Sequence, residues 1–60
     1  MKNQIGRTVS LRHKSHLLWG IVLDQVGGTN RIKRVRIQSK GRFRGKVLMP
    51  SEYSVLEFDV

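Results

Sequence analysis

Short alternating runs, turn signals between them and no helical period predict an all-β domain: a small, five-stranded, partly open barrel. Val, Ile, Thr and Gly are spread along the whole chain, and no long stretch repeats at 3.6 residues. Sixty residues allow one domain, and a chain this short buries only a thin core.

The elements follow in order. Residues 5–12 form the first expected strand: Val9 and Leu11 share one face, Thr8, Ser10 and Arg12 the other. His13, Lys14, Ser15 and His16 read as a polar loop. Residues 18–26 form a second strand, apolar on both faces at first and therefore central. Gly20 inside it signals a bend, a bulge or a close backbone approach. Gly27, Gly28, Thr29 and Asn30 make a strong turn, because Gly and Asn tolerate positive φ. Residues 31–38 and 42–49 are the third and fourth strands. Residues 50–54 read as one helical turn, with Ser51 as its cap. Leu56, Phe58 and Val60 then alternate with Glu57 and Asp59 as a short last strand. The expected core is Ile5, Val9, Leu11, Trp19, Ile21, Leu23, Val35, Ile37, Phe43, Val47, Met49, Leu56 and Phe58.

The stretch RIKRVRIQSKGRFRGK, residues 31–46, holds eight of the twelve Lys and Arg and no acid. Ser39, Lys40 and Gly41 suit a three-residue hairpin loop, with Gly41 at the position that needs positive φ. That turn sets a register in which Ile37 faces Phe43, Arg36 faces Arg44, Val35 faces Gly45 and Arg34 faces Lys46. Val35, Ile37, Phe43, Val47 and Met49 then point inward, while Arg34, Arg36, Arg42, Arg44 and Lys46 point outward. Like charges directly opposite one another destabilise a sheet by a few tenths to about 1 kcal/mol per pair. A polyanion laid across the face would relieve the repulsion.

Net charge is +8, a density that attracts polyanions and speeds their encounter. An ordinary mixed surface would need no further account than solubility. Five like charges on one hairpin face, without interspersed acids, favour nucleic acid instead. The candidate binding residues are Lys33, Arg34, Arg36, Lys40, Arg42, Arg44 and Lys46, with Arg12, Lys14 and Arg7 extending the patch. Arg grips phosphate in a bidentate way, where Lys acts as a point charge. Contacts of this kind carry little sequence information, so low specificity and strong salt dependence are expected, on DNA or RNA alike.

Other chemistries find little support. Zero cysteines leave no disulfide framework and no Cys-based zinc pattern. His13 and His16 have no nearby acids to complete a metal set, so no cofactor is expected. No nucleophile motif surrounds any Ser, and no phosphate loop with a Lys-Ser/Thr ending occurs, so an enzyme is not expected. The longest apolar run, residues 17–23, is seven residues, too short to span a membrane as a helix. A cytoplasmic protein without a membrane partner is the expectation. Trp19 could stack a base but reads as core.

Residues 6–12 (GRTVSLR), 19–24 (WGIVLD) and 50–58 (PSEYSVLEF) together resemble the SH3-like small barrel superfamily, which includes KOW and Tudor-type nucleic-acid-binding modules. The last of these resembles the short 3₁₀ turn that precedes the final strand, and the resemblance implies a ligand contact for Tyr53 beside it, with burial an equal alternative. The resemblance covers most of the chain as a pattern of strands, and it implies a nucleic-acid-binding module. The outline is also similar to plasmid-encoded dihydrofolate reductase, whose active pore uses a Val-Gln-Ile-Tyr run before a Pro. Lys46, Val47, Leu48 and Met49 stand before Pro50 here, without that glutamine and tyrosine. The alternative function is a small basic regulator or inhibitor, of the kind phages and mobile elements encode, docked on the acidic surface of a larger protein. A homo-oligomer with a shared groove is a third.

Overall fold

The computed structural model describes residues 3–27 and 31–59. The chain forms β1 (Thr8–His13), β2 (His16–Val22), β3 (Val35–Ile37), β4 (Val47–Leu48), a 3₁₀ turn (Pro50–Glu52) and β5 (Ser54–Phe58). All five strands join one antiparallel sheet in the order β4-β3-β2-β1-β5. Among the described residues, the edge strands β4 and β5 do not pair with each other. No helix among them is long and apolar enough to cross a membrane.

The expected loop at residues 13–16 is tighter than its composition suggests. β1 and β2 stay paired as far as His13 opposite His16, so the turn is Lys14 and Ser15 alone. Both have positive φ, 47° and 71°, the signature of a two-residue type I′ turn. The long return between β2 and β3 keeps one register throughout. Gly20 faces Ile37, Val22 faces Val35, and an outlying bridge joins Gln25 to Ile32. Gly28, Thr29 and Asn30 of the expected turn lie outside the described residues, as does Val60 of the expected last strand.

The core consists of Val9, Leu11, Val22, Ile32, Val35, Ile37 and Leu48, with Leu18, Phe43, Tyr53 and Phe58 packed against it. β2 therefore turns its other face inward: Leu18, Gly20 and Val22 look to the core, while Trp19 is 42% exposed. Gly20 explains the choice. A Cβ there would sit 2.3 Å from the Arg36 carbonyl oxygen and 2.9 Å from Val35 Cγ1. β3 thus crosses so close to β2 that only glycine fits on the inner face. Ile5 and Leu56, both expected inside, are exposed. Leu56 is displaced by a bulge: β1 pairs Ser10 with Glu57 but Leu11 with Val55, which skips it.

Two polar devices close the structure. Arg7 forms a bidentate pair with Asp59, at 3.1 Å from Nε and 2.6 Å from Nη2, and lies over the Phe58 ring. It also donates to Oε1 of the buried Gln4, whose own N–H donates to Gln25. At the other end His13, 4% exposed and not in a loop, donates from Nδ1 to the Glu52 carbonyl at 2.5 Å. A carbonyl can only accept, so that nitrogen carries the proton. The expected cap at Ser51 is not used. Pro50 opens the 3₁₀ turn and the Glu52 carboxylate accepts from the Met49 N–H at 2.9 Å. Tyr53 donates its hydroxyl to the Lys33 carbonyl at 2.9 Å, and burial raises its pKa.

Candidate functional site

The expected register of the basic hairpin does not form. Val35 pairs with Leu48, not Gly45, and Arg36 pairs with Val47, not Arg44. The slip of three residues is odd, so the fourth strand presents its opposite face: Leu48 is buried, while Val47 and Met49 are exposed. It also removes both like-charge pairs. The chain relieves the repulsion itself, by leaving residues 38–46 out of the strand ladder.

Those residues form a compact loop rather than a zipped hairpin. The Arg44 N–H donates to the Gly41 carbonyl at 3.1 Å and the Lys46 N–H to the Phe43 carbonyl at 3.0 Å, giving two overlapping turns. The Gly45 and Ile37 backbones exchange with the loop end, Gly45 N–H to Ile37 and Ile37 N–H to Lys46. Gly45 has φ of 86°, the left-handed region where a side chain is strained. The start of the loop is tied to β2, where the Gln38 and Ser39 N–H groups both donate to the Trp19 carbonyl.

Phe43 is the hub of this loop. It is half-buried against the core. His13 meets its ring edge-on at 5.2 Å between centroids, and His16 lies tilted at 5.0 Å. The Arg42 guanidinium stands 5.1 Å from the ring centroid and the Lys46 ammonium 5.8 Å, both within cation–π reach. Lys14, from the β1–β2 turn, completes a recess of about 370 Å³ lined with Arg42, Phe43 and Lys46. Two segments far apart in sequence thus bring three cations around one aromatic ring, suited to an oxyanion with several charged oxygens.

The remaining candidates are distributed differently from the single face expected. Lys40 and Arg44 are exposed in the same loop as Arg42. Arg12 and Arg36 lie on the outer face of the sheet, Arg12 opposite Leu17 and Arg36 between Ile21 and Val47. Arg34 is paired with Asp24 at 3.2 Å, and Lys33 is exposed beside it. Arg7 is committed to Asp59 and does not extend the patch. Among the described residues, Lys14, Lys40, Arg42, Arg44 and Lys46 make no ion pair, and no group of three or more His, Cys, Asp and Glu could hold a metal.

Sequence reasoning missed Phe43 as the organiser and His16 as its neighbour. The alternation Arg42, Phe43, Arg44 reads the same for a strand as for a turn. The three-residue spacing of His13 and His16 was the available signal, once the hairpin is known to turn at Lys14 and Ser15. No protein-family model, no curated protein and no solved structure matches this chain.

Proposed function

We propose that the protein binds nucleic acid, gripping phosphates with the cations that the β1–β2 turn and the 38–46 loop gather around Phe43. The observation that carries this reading is the distribution of acids. Of the four carboxylates, Asp59 and Asp24 are used by Arg7 and Arg34, and Glu52 accepts from the Met49 backbone. The loop cations and Lys14 keep their charge for a partner. Lys46 and Arg42 are also held in place by the ring, so less side-chain entropy is lost on binding. The strand order and the 3₁₀ turn before β5 further support an SH3-like small barrel, the architecture of many nucleic-acid-binding modules.

A salt titration tests the reading. Affinity for a mixed-sequence duplex should fall steeply between 50 and 200 mM salt (both figures on the order of standard assay conditions) with a log–log slope of about −3.6 if roughly four phosphates are neutralised. Arg42→Gln with Lys46→Gln should lower that slope by about 2. Absence of binding to duplex, single strand and RNA alike at low salt refutes it. Nuclease-resistant capture of one acidic protein, without nucleic-acid affinity, would favour the regulator instead.

A further inference from the structure

The sheet has an outer face that the core does not use, and its central strand carries an apolar row there. Leu17, Trp19 and Ile21 alternate outward along β2, with Leu17 74% exposed and Trp19 42% exposed. Ser10 stands opposite Trp19 and is too short to cover an indole. Ser10, Leu17, Leu18 and Trp19 line an open recess of about 430 Å³. Water-facing Trp is an expensive choice on a 60-residue chain whose core is thin. The core had no room for it, because the inner face of β2 is taken by Gly20 under β3.

The charges around the row indicate what covers it. Arg12 lies beside Leu17 at one end, and Arg36 lies beside Ile21 at the other. Neither makes an ion pair among the described residues. One acid, Glu57, shares this face, on the far side of Ser10. A second copy placed face to face would bring Arg12 and Arg36 of two chains, each at +8, against one another. A planar apolar group carrying negative charge meets both features at once.

We infer that this outer face is a stacking platform for unpaired bases, with Trp19 as the stacking residue and Arg12 and Arg36 holding the flanking phosphates. The inference rests on the nucleic-acid reading and narrows it to single strands. A duplex hides its base faces and can use only the cationic loop. Base–aromatic stacking tolerates any base, so the platform adds preference for strandedness without adding sequence specificity.

Trp19 is the single tryptophan of the chain, so its fluorescence reports this face alone. The probes are a dT oligonucleotide, an rU oligonucleotide and a mixed-sequence duplex, each about 12 nucleotides long, a length on the order of one small-domain site. Single strands should quench Trp19, and Trp19→Ala should weaken their binding about tenfold or more while duplex affinity changes less than twofold. Trp19→Phe should restore most of the single-strand affinity. If Trp19→Ala binds single strands as tightly as the unaltered protein, the platform is wrong and the loop reading stands. If no polymer binds, both fall. If Trp19 is instead buried in a dimer that Trp19→Ala dissociates, a second copy occupies the face and the inference fails.

Discussion

In the β1–β2 hairpin, six residue pairs close on a turn of two residues. β3 and β4 share two pairs across a connection of nine residues, 38–46. By turn chemistry alone the order should be reversed. Lys14 and Ser15 are poor choices for two positive-φ positions, which favour Asn and Gly, whereas Ser39, Lys40 and Gly41 suit a short loop well. The difference lies in what faces what. Pairing in the first hairpin sets Ser10 against Trp19, Leu11 against Leu18 and Arg12 against Leu17, with no like charges opposed. Zipping the second from its best turn would oppose Arg36 to Arg44 and Arg34 to Lys46. Cross-strand contacts outrank the turn in both, and the residues excluded from the second ladder become the cationic loop.

The largest test of this comparison strikes where the two hairpins meet. Gly20→Ala forces a Cβ onto the Arg36 backbone, which cannot swing aside, so β3 must lift off β2. A loss of about 3 kcal/mol or more is expected in urea unfolding, enough to unfold much of so small a domain. Next comes the register itself. Leu48→Ala should cost about 2–3 kcal/mol, while Val47→Ala, 45% exposed in the wild type, should cost less than about 0.5. The reverse ranking would restore the register in which Arg36 faces Arg44. In the first hairpin, Lys14→Asn with Ser15→Gly relaxes the positive-φ strain and should stabilise the fold by about 1 kcal/mol, read as a higher denaturation midpoint. Because Lys14 also lines the recess, the same variant should bind a duplex more weakly.

The smallest effect concerns pH. The hydrogen bond from Arg7 holds the Asp59 pKa below the usual carboxylate value of 3.8; desolvation opposes it, and the Arg7 charge adds a smaller lowering effect. A group with a depressed folded pKa contributes stability above its unfolded pKa and loses it as pH falls through the folded one. The pair therefore matters from neutral pH down to about 4 and fades below that. Asp59→Asn should shallow the acid limb of a stability–pH curve and leave Gly20→Ala and Leu48→Ala with unchanged costs.

Strand number, the 3₁₀ turn and the crowding at Gly20 were legible because each has a local signature: alternation, Pro50, or a lone glycine in an apolar run. The parities of β2 and β4 were not. Residues 17–23 and 47–49 are apolar on successive positions, so alternation does not say which set is inside. In β2 the deciding fact is a backbone clash at Gly20, and in β4 it is the repulsion that would set Arg36 against Arg44 and Arg34 against Lys46. The candidate cations were legible as a composition, and Arg42, Lys46 and Lys14 do converge. Their grouping around Phe43 depends on the two turns meeting in space, which no local pattern records. Trp19 was misplaced for the same reason as the rest of β2.

An open sheet leaves two rows of unpaired backbone groups, and neither runs long without interruption here. β4 has only two residues in the ladder, and β5 is broken by the bulge at Leu56. Such interrupted borders give a neighbouring molecule little template on which to extend a strand. A chain with Leu17, Trp19, Val47 and Leu56 on its surface would otherwise be a candidate for fibrous aggregation; its ragged borders and its charge work against that together.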